Sequence, residues 1–246
     1  MRDNGVIAMD EPAQSGAAFS QTPRARRPRT KLSALLLKRA LDEIYFPRPA
    51  PTIFNGGPPW NDLYPLVRET VGDQPITYLE FGVFRGNTIR RLSDLFQAKG
   101  ARFFGFDSFE GLPEEWGKIK KDGFSTGGKL PKVNDSRISF VKGYFQNTVP
   151  QFVAATPLTA PVLVHFDADL YSSTLFLLTT LWHHVPEYYF MFDEFLPDEA
   201  VAMYDFALAY PVDFEFIACC APQGDPRRPY HVFGRMKRTG YAPPPG

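Results

Sequence analysis

Tyr78-Leu79-Glu80-Phe81-Gly82-Val83-Phe84-Arg85-Gly86-Asn87-Thr88 decides how this chain is read. An apolar run stops at a glycine, a second glycine follows, and polar residues open the next segment. This predicts a buried strand, a tight turn and a helix. Gly82 and Gly86 permit the turn, and Thr88 can satisfy an N–H group left open at the helix start. A dinucleotide loop would need G-x-G-x-x-G, whose second glycine lets a pyrophosphate approach the backbone. Phe84 and Asn87 stand at the second and third glycine positions. A phenyl ring there argues against NAD or FAD and for a ligand with a ribose but no pyrophosphate.

Moving outward, short apolar runs alternate with helical patterns. The runs are Ile76–Phe81, Ala101–Phe106, Ile138–Val141, Pro161–Phe166 and Tyr188–Phe192; the helical candidates among them are Asn87–Gln97, Thr148–Ala155, Ser172–Val185 and Pro197–Ala209. Near-continuous apolar strands imply a parallel sheet covered on both faces. Phe214–Cys220 and His231–Met236, joined by the polar loop Ala221–Pro229, leave no room for a crossover helix and predict an antiparallel hairpin. The expected fold is α/β: a Rossmann-like, seven-stranded, mostly parallel sheet with helices on both faces and a terminal antiparallel hairpin. Upstream, Leu32–Tyr45 and Asn61–Val71 carry helical stripes, so residues 31–75 read as an N-terminal helical cap on a single domain spanning 31–240. Residues 1–30, rich in Ala, Gln, Ser, Pro and Arg, read as a disordered tail, and 241–246 as a frayed end.

Composition narrows the function classes. The 246 residues are 44% hydrophobic, 15% aromatic and 22% charged, with a formal net charge of zero. No bulk charge draws such a chain to nucleic acid or an anionic membrane. No apolar run is long enough to span a bilayer, and the opening residues lack the apolar stretch of a secretory signal. Cys219 and Cys220 are adjacent, which excludes a disulfide framework or a zinc site. A cytoplasmic enzyme or binding protein is expected, with a homo-oligomer left open.

The second strand ends Phe104-Gly105-Phe106-Asp107-Ser108, with Asp107 25 residues after Gly82. A carboxylate at that tip can accept both hydroxyls of a ribose, and Glu80 can receive an ammonium group. Helix capping is the alternative role for either acid. S-adenosylmethionine offers a ribose diol, an amino acid head and no phosphate. Ser108 and Gly143-Tyr144-Phe145, which follow the second and third strands, are further candidates around that ligand.

The fourth and fifth strands deliver more acids, with Asp167 and Asp169 on one and Asp193 and Glu194 on the other. On neighbouring strands about 4.8 Å apart, such carboxylates repel and need a cation, a proton or strong solvation. Oxygen ligands suit Mg²⁺ or another hard divalent cation. Two unrelated helix-capping pairs are the alternative.

These stretches resemble a known family. Leu79–Gly86, Gly105–Pro113 and His165-Phe166-Asp167-Ala168-Asp169-Leu170-Tyr171-Ser172-Ser173-Thr174 are similar to the class I S-adenosylmethionine-dependent methyltransferases of the macrocin O-methyltransferase type. The resemblance extends over Leu32 to Arg238. It implies S-adenosylmethionine as donor, a divalent metal, and a hydroxyl acceptor on a sugar or glycosylated metabolite. It puts Asp167, Asp193 and Glu194 at the metal-ligand positions and Asp169 at that of the general base. His165 is the alternative base, though it lies one layer deeper on its strand. Two residues depart from the family pattern: Pro186-Glu187 replaces the usual glycine pair, and Glu194 replaces the usual aspartate. Residues 109–134 are too long for a plain connection and read as a lid loop. Two other readings stand beside the enzyme. One is a non-catalytic S-adenosylmethionine-binding relative serving as an interaction module, and the other is a nucleotide-dependent oxidoreductase.

Overall fold

The computed structural model describes residues 31–55, 63–159 and 161–240. The expected tail (1–30), the frayed end (241–246) and the first residues of the Asn61–Val71 helix lie outside the described residues. No helix among the described residues is long and apolar enough to cross a membrane.

Eight strands form one sheet: β1 (Thr52–Asn55), β2 (Thr77–Phe81), β3 (Arg102–Asp107), β4 (Ile138–Lys142), β5 (Val162–Phe166), β6 (Glu187–Phe192), β7 (Val212–Ala221) and β8 (His231–Arg238). Their order is β1-β7-β8-β6-β5-β2-β3-β4. Only β8 runs against its neighbours, antiparallel to both β6 and β7. The reversed strand and the hairpin agree with expectation; the count of seven does not. The extra strand is β1, paired in parallel with Ala218–Ala221 of β7 and lying between the two helices expected in the N-terminal cap. Four residues beside prolines carry too little periodicity to announce a strand.

Both faces are covered. Leu79, Phe81, Val164 and Phe166 pack on one side against α4 (Phe145–Ala155), α5 (Tyr171–His184) and α6 (Ala200–Ala209), through residues such as Phe152, Leu177, Leu181 and Met203. The helix α1 (Lys31–Ala40) and the wider turn Leu41–Tyr45 join that layer through Ala40, Leu41 and Ile44. Tyr78, Phe103 and Leu163 pack on the other side against α2 (Tyr64–Val71) and α3 (Asn87–Leu95), through Val67, Ile89 and Leu92. Strands covered on both faces must be apolar in both directions, and all five residues of β2 and of β5 are buried. Strand order reverses between β2 and β5. In doubly wound sheets, ligands bind outside the strand ends at such a switch point.

Candidate functional site

Four phenylalanines draw a line across the sheet. Phe106, Phe81, Phe166 and Phe192 are in register on β3, β2, β5 and β6. Adjacent rings in this row have centroids 4.9, 6.1 and 4.7 Å apart, an apolar floor. The next residue on each strand is therefore level with the others: Asp107, Gly82, Asp167 and Asp193. Backbone bonds carry the ladder across these tips, from Gly82 N–H to Phe106 O at 3.0 Å, Asp167 N–H to Phe81 O at 2.9 Å and Asp193 N–H to Phe166 O at 3.0 Å. Register alone thus brings residues distant in sequence to one edge.

The glycine loop leaves this edge sharply. Gly82 and Gly86 have φ of 98° and 70°. Gly86 in its left-handed conformation precedes α3, and no side-chain bond caps the helix, so Thr88 does not play the capping role expected of it. Phe84 also adopts positive φ, at 49°, a conformation uncommon outside glycine. Asp107 holds the loop in place: its Oδ2 accepts the N–H groups of Val83 at 2.9 Å and Phe84 at 2.7 Å, and its Oδ1 accepts that of Phe109 at 2.6 Å. A carboxylate offers about four acceptor positions. Three are occupied here by backbone N–H groups, which leaves one acceptor position open.

A cavity of about 270 Å³ opens above the strand tips. Of the expected donor-binding residues, Gly82, Phe84, Asp107, Ser108, Gly143, Tyr144 and Phe145 line it. Asp167, Asp169, Asp193 and Glu194 line it from the other side, while Glu80, Gly86, Thr88 and His165 are not among the lining residues. The segment 109–134 adds Leu112, Trp116 and Phe124, and α4 and α5 add Gln146 and Ser173. Backbone bonds hold the segment 109–134 together, including Leu112 N–H to Lys121 O at 2.7 Å and Gly128 N–H to Phe109 O at 2.8 Å. Ser172 of α5 donates to Glu114 at 2.5 Å and ties this segment to α5.

Glu80 and His165 belong to a layer beneath the cavity. Glu80 is 1% exposed and accepts the Tyr78 hydroxyl at 2.6 Å. The same hydroxyl lies 3.2 Å from His165 Nδ1. Burial raises the Glu80 pKa, with His165 and Tyr78 opposing the shift. His165 Nε2 is 3.9 Å from Asp193 Oδ1, and His231 Nδ1 is 3.4 Å from that same oxygen. β8 inserts between β6 and β7 and sets Val232 opposite Phe192, which carries His231 to Asp193.

The acids crowd one another. Burial, then Asp193 and Asp169, push Asp167 well above the usual carboxylate range. Asp169 is pushed up to about 7 by burial, Glu194 and Asp193, and its backbone is left-handed at φ 59°. Glu194 accepts the hydroxyl of Tyr230, on the loop before β8. A fifth acid, missed in the sequence, is Glu199. It is 1% exposed, and its pKa is raised first by burial and then by Asp167, Asp169, Asp193 and Glu194. Among the described residues, no three His, Cys, Asp or Glu side chains are grouped to hold a metal ion. The four lining acids nevertheless offer only oxygen ligands, which suit a hard cation, and among the described residues no Lys or Arg lines the cavity.

Residues 79–192 match a family model described as a methyltransferase domain. Among solved structures, the calicheamicin methyltransferase CalS11 is 20% identical with a TM-score of 0.50, over 92% of this chain and 100% of that one. The O-methyltransferase NovP is 20% identical with a TM-score of 0.48, over 72% and 80%. TomG from Streptomyces achromogenes, an O-methyltransferase of tomaymycin synthesis solved with S-adenosylmethionine, is 15% identical with a TM-score of 0.43, over 86% and 91%. No curated protein matches the sequence.

Proposed function

We propose that this chain is a class I methyltransferase that moves a methyl group from S-adenosylmethionine to a hydroxyl of a sugar or secondary metabolite. The observation that carries this reading is one cavity with two chemically different walls. The glycine loop, Asp107 and Gly143–Phe145 stand on one side, and Asp167, Asp169, Asp193 and Glu194 on the other. The first wall suits a nucleoside without phosphates: backbone and aromatic surface for the adenosine, and one acceptor position on Asp107 for a ribose hydroxyl. Phe84 lines that wall where a pyrophosphate would need open backbone, which counts against a nicotinamide or flavin dinucleotide. Gly86 shapes the loop from outside the cavity. Glu80 acts from beneath through Tyr78 and does not receive the donor's ammonium group directly.

In the reaction, the acceptor oxygen attacks the methyl carbon, the carbon–sulfur bond breaks with its electron pair going to sulfur, and the hydroxyl proton must leave. Asp169 is suited to take that proton, because a base poised near neutrality balances availability against strength. His165, enclosed below the cavity floor, is the weaker candidate. A divalent cation held by Asp167, Asp193 and Glu194 would supply positive charge that lowers the pKa of the acceptor hydroxyl. Residues 109–134 would cover the acceptor and exclude water, with Trp116 and Phe124 as its apolar contacts.

The test is transfer of a labelled methyl group from S-adenosylmethionine into sugar and glycosylated acceptors, with and without EDTA. Turnover abolished by EDTA and restored by Mg²⁺ is the expected result, with Asp167→Ala and Asp193→Ala inactive but still binding S-adenosylhomocysteine. Full turnover in EDTA would remove the cation and leave Asp169 as a metal-free base.

A further inference from the structure

Two neighbouring residues at the start of β8 face the two acids at the end of β6. The antiparallel register of these strands sets Phe192 opposite Val232. Continued one and two residues further, it sets Asp193 opposite His231 and Glu194 opposite Tyr230. The bond from Phe195 N–H to Tyr230 O, at 2.8 Å, holds the two chain segments together there. The side chains meet as the backbones do. Tyr230 donates its hydroxyl to Glu194, and His231 Nδ1 lies 3.4 Å from Asp193 Oδ1. The His231 ring is buried and meets Tyr230 edge-on, with centroids 4.8 Å apart.

His165 approaches the same Asp193 oxygen from β5, but with different chemistry. The Tyr78 hydroxyl donates to Glu80, so it can only accept from His165 Nδ1, 3.2 Å away. A neutral imidazole has one N–H, and this bond places it on Nδ1. Nε2 then turns a lone pair toward Asp193 Oδ1, at 3.9 Å. Supplying an N–H to that oxygen falls to His231.

We propose that Tyr230 and His231 are a pair of positioning residues, each holding one oxygen of the acid opposite it so that Glu194 and Asp193 present the other to the cavity. Both acids line the cavity and neither Tyr230 nor His231 does, so their effect passes through the carboxylates. A carboxylate without a fixed donor is free to change rotamer, and a donor anchored on β8 removes that freedom. The assignment rests on the reading of these acids as cation ligands.

The test titrates the full chain with Mn²⁺ by calorimetry, in wild type, Tyr230→Phe, His231→Asn and His231→Gln. The asparagine amide carries its N–H groups near the place of Nδ1, the glutamine amide near that of Nε2. Tyr230→Phe and His231→Gln should each weaken Mn²⁺ binding about tenfold to a hundredfold, the loss typical of a group that orients a metal ligand. His231→Asn should stay near wild type, a rescue that a packing role alone does not give. S-adenosylhomocysteine affinity without metal should not move in any variant and serves as the check on folding. Should the histidine variants fail that check, Tyr230→Phe, which removes a single oxygen, carries the test. A metal-free measurement decides the contact itself. In nitrogen NMR of the histidine rings, the His231 signal, identified by its loss in His231→Asn, should show a proton on Nδ1 and should shift on Asp193→Ala. A His231 signal indifferent to Asp193→Ala would overturn the contact. Wild-type Mn²⁺ affinity in folded Tyr230→Phe or His231→Gln, or equal losses in His231→Asn and His231→Gln, would overturn the role of that residue and leave the cation reading standing. A wild-type chain that binds no Mn²⁺ would overturn both, so the wild-type titration tells the two failures apart.

Discussion

Gly82 and the backbone of Asp167 are in closest approach at the switch point of the sheet: a Cβ on Gly82 would lie 1.9 Å from the Asp167 carbonyl oxygen. Residue 82 therefore governs the width of the gap between the glycine loop and the first acid of the opposite wall. No side chain can be accommodated without displacing backbone, and its φ of 98° adds strain for any residue but glycine.

Gly82→Ala should consequently force β2 and β5 apart at their tips. We expect a loss of about 2–4 kcal/mol in stability, the range for backbone strain combined with steric overlap, together with loss of S-adenosylhomocysteine binding. Urea denaturation and calorimetry measure the two. An unchanged midpoint would mean that the tip yields freely.

Asp107→Ala should do more than weaken donor binding. It removes the acceptor for three backbone N–H groups, on Val83, Phe84 and Phe109. A charge-assisted bond contributes about 1.5–3 kcal/mol, so donor affinity should fall roughly tenfold to a hundredfold. Amide hydrogen exchange at these three positions should accelerate in the ligand-free protein. A variant that binds weakly while its loop amides stay protected would confine Asp107 to the ribose.

Acid pH should stabilise the metal-free protein. The Asp169 carboxyl is held at about 7 in the fold, against about 4 in an unfolded chain. The folded state thus binds this proton more tightly, and ionisation opposes folding. Its contribution is most favourable below about pH 4, declines as pH rises to about 7, and is flat beyond. Asp167 and Glu199 are shifted in the same direction and add to the slope. Melting temperature against pH in EDTA should show this decline, and Asp169→Asn, which tolerates a left-handed backbone, should flatten part of it. A profile identical to wild type would remove Asp169 from the titrating set.

The proposed lid should respond to the loss of its bond to α5. Ser172→Ala deletes the hydrogen bond to Glu114 that ties 109–134 to α5. Such a bond contributes about 0.5–1.5 kcal/mol, so the acceptor KM should rise severalfold while S-adenosylhomocysteine affinity stays constant. An equal rise in the donor's dissociation constant would place the latch on the donor side instead.

How much of this was readable beforehand follows from the range over which each signal acts. Strand ends, the glycine turn, and the acids at positions 107, 167, 169, 193 and 194 are local: an apolar run stops, and the next residue stands at the sheet edge whatever its neighbours are. The sequence therefore determined the alternating α/β order, the reversed last strand and the residues at the mouth of the crevice. Only the tertiary structure decided which of these face the cavity and what stands behind them. Glu80 has the two-residue spacing from Tyr78 that puts both on one face, but pairing β2 with β5 sets His165 across from it and closes the group below the floor. His231 reaches Asp193 because β8 inserts between β6 and β7. β1 forms because an edge of β7 is free to take it. Each of these rests on strand register or chain reversal between segments that carry no mark of one another, and that information exists only once the sheet is assembled.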